Sequence, residues 1–195
     1  MTQHTLSTRS TLYDRLFVQA VQELHRPRTL ATAAVLSALH LILNQFTIPV
    51  SGLLEVGFDF LATAAMGYLC GPWVAGLSGI VTDIFGYVLR PNGPYFPGWT
   101  LSAILAGILY GVWYYRRPVK LWRVAACKAM AVVLFNFLLT PLWLHFLYGQ
   151  AFVVLSSLRF VKNIIKFPID VALLLLGLTT CERYRARQRC AGIPL

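Results

Sequence analysis

Arg159, Lys162, Asn163, Lys166 and Asp170 recur at i, i+3, i+4, i+7 and i+11, the spacing of one helix face. Their neighbours Phe160, Ile164, Ile165 and Phe167 are apolar, so a charged stripe runs along a hydrophobic segment. An ionisable side chain within a bilayer is costly unless it is paired or faces water. Two arrangements meet that demand. Arg159 and Lys162 can snorkel to the outer headgroups above a Lys166–Asp170 pair one turn apart. Alternatively, the stripe is a cationic wall that captures an anionic ligand, with a carboxylate as its natural counterpart.

The remaining acids within apolar segments are Glu55, Asp59 and Asp83. Asp59 lies between Phe58 and Phe60, where a carboxylate could accept two hydrogen bonds from an amino-substituted heterocycle stacked on the rings. It could equally be the counter-charge of a basic residue on another helix. Asp83 and Arg90, seven residues apart, can pair along one helix. Asn136 and Thr140, four apart, suit either an interhelical hydrogen bond or a ligand contact. Between Arg90 and Gly98 the prolines and glycines exclude a helix, while Tyr95, Phe96 and Trp99 supply flat apolar surface. Such a loop can be a lid over a site, or an interhelical turn with its aromatics at headgroup level.

Enzyme chemistry finds no footing. His40 and His145 are far apart, neither belongs to H-E-x-x-H, and no G-x-S-x-G is present. No carboxylate cluster suits a metal, and Cys70, Cys127, Cys181 and Cys190 show no C-x-x-C spacing. The expectation is therefore no catalytic residue, no metal and no cofactor in this chain.

The elements that must position these residues follow from composition. Of 195 residues, 57% are hydrophobic and 12% charged, about half the charged share of a soluble domain. Mean hydropathy is +0.64. The reading is an all-α polytopic membrane protein, with six transmembrane helices around a central substrate cavity. A polar cytoplasmic N-terminal segment occupies residues 1–27, with a partly amphipathic stretch at Leu16–Leu24 and no secretory signal pattern. The membrane domain covers 28–181 and a basic cytoplasmic tail 182–195. Expected spans are Arg28–Phe46, Glu55–Cys70, Trp73–Leu89, Trp99–Tyr115 and Val124–Leu147, the last interrupted by Pro141; a sixth ends before Glu182. The outer loop Thr47–Leu54 and the tight turn Gly71-Pro72 join the early spans. Basic residues cluster before the first span, between Arg116 and Arg123, and in the tail. With six spans these fall on one side, so the net charge of +10 marks cytoplasmic termini rather than nucleic acid. The first span is rich in small residues, with Ala31 and an Ala34-x-x-x-Ala38 spacing that lets another helix approach closely. That helix may be read as one of this chain or as one of a separate membrane subunit.

Three segments carry a resemblance. Gly93-Pro-Tyr-Phe-Pro-Gly-Trp-Thr-Leu-Ser-Ala103, running on to Gly107-Ile-Leu-Tyr-Gly111, is the first; Leu142-Trp-Leu with Leu147-Tyr-Gly149, Leu158–Ile165 and Pro168-Ile-Asp170 form the second. Gly71-Pro72 with Asp83 is the third. Together with the alanine-rich first helix, the chain over about residues 28–180 resembles the substrate-binding S components of energy-coupling factor (ECF) vitamin transporters, folate type. The resemblance implies six helices and capture of folate from the external side of a prokaryotic plasma membrane. It also implies a transmembrane T subunit and two cytoplasmic ATPases as partners, so that ATP is used by other chains. Substrate contacts are expected at Asp59, Tyr95, Phe96, Trp99, Asn136, Arg159, Lys162 and Asn163, and the subunit interface at Ala31, Ala34 and Ala38. Glu55, Asp59 and Ala62 depart from the family pattern, which keeps another pteridine or vitamin open as the ligand. A small membrane enzyme acting on a lipid-linked group is the alternative from another class, and a pure scaffold a third.

Overall fold

The computed structural model describes residues 26–46, 48–51, 54–91, 95–148 and 152–190. Helix α1 spans Pro27–Gln45, and a two-stranded antiparallel hairpin follows, β1 Ile48–Ser51 and β2 Leu54–Val56. Next come α2 Phe60–Cys70, α3 Pro72–Leu89 and α4 Pro97–Tyr114. The fifth rod, α5, is continuous but changes pitch: α-helical over Leu121–Ala131, π-helical over Val132–Leu139 and α-helical again over Thr140–Tyr148. Helix α6 runs Phe152–Cys190. Among the described residues the expected fold of six helices is found, with the short hairpin as its one addition.

Three boundaries differ from the sequence expectation, each for a physical reason. The second helix begins at Phe60, five residues later than expected, and Glu55 is on strand β2 opposite Pro49. At 11 residues, α2 is about 16 Å long, half of a bilayer's hydrocarbon core. Pro141 does not break α5. A proline lacks its N–H and clashes with the carbonyl four residues back, and the preceding wide turns absorb both defects: the Thr140 N–H and Oγ1 reach Phe135 O, the latter at 2.7 Å. The sixth helix outruns its hydropathy, continuing through the arginines of the tail to Cys190.

Outward surface is apolar where lipid would lie. Leu77, Val81, Ile84, Phe85 and Val88 are all exposed along one face of α3, a patch that water would not tolerate. By length and composition, Pro72–Leu89 and Leu121–Trp143 qualify as membrane spans among the described residues.

The tightest packing is between α4 and the pair α2–α3. In lipid, helices gain nothing from burying apolar surface against each other, so close backbone approach drives association. Gly107 and Gly111 of α4 lie one turn apart, against Ala75 and Pro72 of α3 respectively. Gly79 of α3 meets the backbone of Ala103, and Gly67 of α2 meets that of Tyr110 and Gly111. At Gly71 the chain turns from α2 into α3 with φ +89°, a left-handed conformation suited to glycine. Below this contact a core of Tyr110, Tyr114, Val124, Cys127, Leu174 and Leu178 joins α4, α5 and α6.

A methyl group at Gly107 would collide with the Ala75 carbonyl, whereas one at Gly177 would meet Leu61 at an ordinary 3.7 Å. Gly107→Ala is expected to destabilise the fold by roughly 1–3 kcal/mol. Gly177→Ala should stay within about 0.5 kcal/mol of the parent, or gain helix propensity. Thermal unfolding in detergent, followed by size-exclusion chromatography, separates the two.

Candidate functional site

The chemistry-bearing residues gather in two tiers. The upper tier is built on the start of α4. Pro97 opens that helix, and Phe96 just before it lies edge-on to Trp143 of α5, ring centres 5.5 Å apart. Gly98 allows this meeting, because a side chain there would strike Phe96 and Trp143. Trp143 Nε1–H donates to Ser102 Oγ at 2.9 Å, and Ser102 donates to the Gly98 carbonyl at 3.0 Å. On the other side, Thr100 donates to Asp83 at 2.6 Å, so the Tyr95 hydroxyl is the donor in its 2.7 Å bond to Thr100. Tyr87 meets Tyr95 edge-on at 5.3 Å. The aromatic segment is thus tied to α3 by a carboxylate and to α5 by an indole. Trp99, one residue into the same helical turn, is partly buried.

The lower tier is ionic. Lys128 of α5, 7% exposed, lies 2.9 Å from Asp170 Oδ2 of α6, and its ammonium sits 3.7 Å above the centre of the Phe60 ring. Lys166 stands 3.6 Å from the other carboxylate oxygen. It donates instead to the Gly57 carbonyl at 2.9 Å, beside the rings of Phe58 and Phe60. This last bond answers a definite need. Residues 57 and 58 are not helical, and a backbone carbonyl without a helical partner must find another donor when buried. Asp59 sits between the two phenylalanines at the entry to α2. Pro168 inside α6 removes one backbone donor between Lys166 and Asp170.

The expected residues divide accordingly. Tyr95 and Phe96 are in the upper tier with Trp99 beside them, and Asp59 is in the lower. Asn163 is on α6 one turn outward from Lys166, its amide nitrogen buried without an acceptor. Asn136 falls in the π-helical stretch of α5, partly buried; such wide turns are frequent at functional sites. Arg159 and Lys162 belong to α6, but their side chains lie outside the described residues, as does that of Glu55 and the stretch 92–94 of the aromatic loop. The expected Lys166–Asp170 pair is present, but shared with Lys128, a residue to which sequence reasoning assigned no role. Its signal was a lone lysine well inside an apolar rod. Trp143, Thr100 and Ser102 were also missed; each acts through a residue far away in sequence. Asp83 was expected beside Arg90, and its hydrogen bond from Thr100 was not foreseen.

Ala31, Ala34 and Ala38 are all exposed on α1, with Val35, Leu39 and Ile42 flanking them, while Ala33 faces inward. Among the described residues no group of His, Cys, Asp and Glu could hold a metal. His40 Nδ1 instead meets the Thr63 hydroxyl at 3.1 Å, joining α1 to α2.

The geometry is a polar floor beneath an aromatic rim. Comparison with known proteins gives it a context. A sequence model for "ECF transporter, substrate-specific component" matches residues 28–176. A folate transporter, FolT, of Clostridium novyi is 36% identical over 136 residues, covering 70% of this chain and 79% of the relative. A FolT of Leuconostoc mesenteroides is 28% identical over 152 residues, covering 75% and 82% respectively. A crystal structure of FolT bound with folic acid superposes with a TM-score of 0.73 at 34% identity, covering 80% of this chain and 98% of that one.

The ionic floor gives an asymmetric expectation for stability. Removing one member of a buried pair strands its partner, at a cost of about 3–5 kcal/mol, whereas an apolar pair of similar size is often neutral. Lys128→Ala should therefore lower the thermal midpoint in detergent sharply. Lys128→Met combined with Asp170→Leu should recover most of the loss, with Lys166 still held by Gly57.

Proposed function

The chain belongs to the ECF transporter substrate-specific components, and we propose that it captures folate from the external side of a prokaryotic plasma membrane. It is a transport component rather than an enzyme. One observation carries the folate reading: the shared fold, at 34% identity, with a FolT crystallised with folic acid. The site's chemistry supports it. Folate has a flat heterocycle that stacks on aromatics, a polar ring edge, and a dicarboxylate tail.

The aromatic rim of Tyr95, Phe96 and Trp99 covers the planar part of the ligand, with Asn136 and Asn163 lining the path and Asp59 at the floor. Arg159 and Lys162, seven and four residues outward of Lys166 on α6, are the residues proposed to meet the glutamate tail at the mouth of the site. A carboxylate leaving water requires a charge partner there. An even number of spans and the bias of Lys and Arg support basic clusters and both termini on the cytoplasmic side, with the hairpin β1–β2 outside. Uptake requires a T subunit and two ATPases, the partners that membership of the ECF family implies. Helix α1 offers the docking surface, because its exposed alanines permit a foreign helix to approach closely.

Folic acid titrated into the purified protein, with mass spectrometry of any co-purified small molecule, tests the central reading; no saturable binding would refute it. Arg159→Ala and Lys162→Ala should each weaken folate binding by roughly 1.5–3 kcal/mol, the worth of a hydrogen bond to a charged group. Unchanged affinity in both folded variants would remove the tail from this stripe. Enlarging the alanine surface should separate capture from delivery. Ala34→Trp with Ala38→Trp is expected to bind folate as the parent does, yet fail to co-purify with the T subunit and ATPases and fail in uptake. Loss of folate binding with assembly preserved would instead place the stripe in internal packing.

A further inference from the structure

Asp170 is only 3% exposed, and its two oxygens have different surroundings. Oδ2 accepts from Lys128 at 2.9 Å. Oδ1 has no hydrogen bond: Lys166 stands 3.6 Å away in an ion pair, with one of its three N–H donors given to Gly57. An ionised carboxylate offers about four acceptor positions. Buried polar atoms are almost always hydrogen-bonded, so a carboxylate oxygen left open in the interior is an acceptor waiting for a donor. Seven residues outward on the same face, the Asn163 amide nitrogen is buried without an acceptor. Helix α6 therefore holds a buried acceptor and a buried donor, neither hydrogen-bonded, roughly 10 Å apart along its axis, with the Lys166 ammonium between them. A ligand with an N–H donor edge at one end and a carbonyl or carboxylate about that far along it matches both.

Resting on the folate reading above, we propose that Asp170 is the specificity-determining acceptor at the inner end of the site. A 2-amino-4-oxo pteridine carries a ring N–H beside its amino group, a donor edge whose amino N–H can reach Oδ1 while Oδ2 stays with Lys128. Asp170 takes that edge, and Asn163 donates to a carbonyl of the benzoyl-glutamate part. Lys128 is the positioning residue: its bond to Oδ2 orients the carboxylate and leaves Oδ1 to the ligand. A site built this way binds ligands bearing the donor edge and rejects those lacking it, because an analogue without the amino group leaves a buried acceptor unpaired.

The test is an equilibrium titration of the full chain in lipid nanodiscs with two probes. One is folic acid and the other is 2-deaminofolic acid, in which hydrogen replaces the 2-amino group. The parent protein is expected to bind the deamino compound roughly 10- to 100-fold more weakly, the range of a hydrogen bond to a charged acceptor. Asp170→Asn should weaken folic acid by a similar factor and bring the two ligands within about threefold of each other. Should that variant fail to fold, Lys128→Met/Asp170→Leu carries the same measurement and the same expectation. A folded variant that keeps the parent's discrimination overturns the assignment of Asp170 and leaves the folate reading standing. So does a parent protein that binds both compounds equally. A parent protein that binds neither compound overturns both together.

Discussion

The ion pair between Lys128 and Asp170 is the contact on which the lower half of this structure depends. It joins α5 to α6, and through Lys166 and the ring of Phe60 it also fixes the entry to α2. Charge adds to the apolar packing of Cys127, Ala131, Val171 and Leu174 there. Because neither partner has water to return to, the pair is hard to break from one side, whatever its net contribution to stability. The same geometry solves a second difficulty. A short α2 leaves non-helical backbone at depth, and the Gly57 carbonyl, which would otherwise be stranded, is capped by Lys166.

Two kinds of cohesion therefore meet in one small protein. Helices α2, α3 and α4 are locked by glycines whose missing side chains bring backbones into contact. Such a unit has little freedom to rearrange, since any shift produces overlap. Helices α5 and α6 are joined by the Lys128–Asp170 pair over an apolar core, and the Trp143 indole ties α5 to α4. The aromatic rim of the candidate site is attached to the locked helices through Thr100 and Asp83, and to α5 through Trp143. A ligand seated against that rim would contact both, which is a sound arrangement for coupling occupancy to shape.

Much of this was legible in the sequence. Long apolar runs and the distribution of arginines gave six helices, and the Gly71-Pro72 and Pro91–Gly98 punctuation located two of the turns. The α6 stripe could be read because helical spacing reports residues on one face of one element. The same logic cannot see Lys128, whose partner is on a different helix 42 positions later, or Trp143 with Ser102, 41 positions apart. Nor does hydropathy distinguish a short strand from the start of a helix. Glu55 follows two leucines and so read as helix, yet Pro49 and Gly57 bracket a stretch too short for anything but the hairpin. Pro141 misled in the opposite direction, since a break was expected where the chain widens its turn instead.

That widening has a consequence for how α5 is numbered around its own axis. In a regular α-helix each residue advances the azimuth by about 100°, and a turn widened to bonds five residues apart advances it less per residue. Val132–Leu139 therefore acts as a phase shifter between two ordinary helical halves. In a regular helix a spacing of 15 would leave Lys128 below it and Trp143 above it about 60° apart, and the wide turns alter that angle. Heptad or 3.6-residue bookkeeping carried across the segment misplaces the upper half around the rod. A length change of one residue within it would leave composition and hydropathy almost untouched while rotating the indole out of register with Ser102, so this stretch constrains insertions and deletions far more tightly than substitutions.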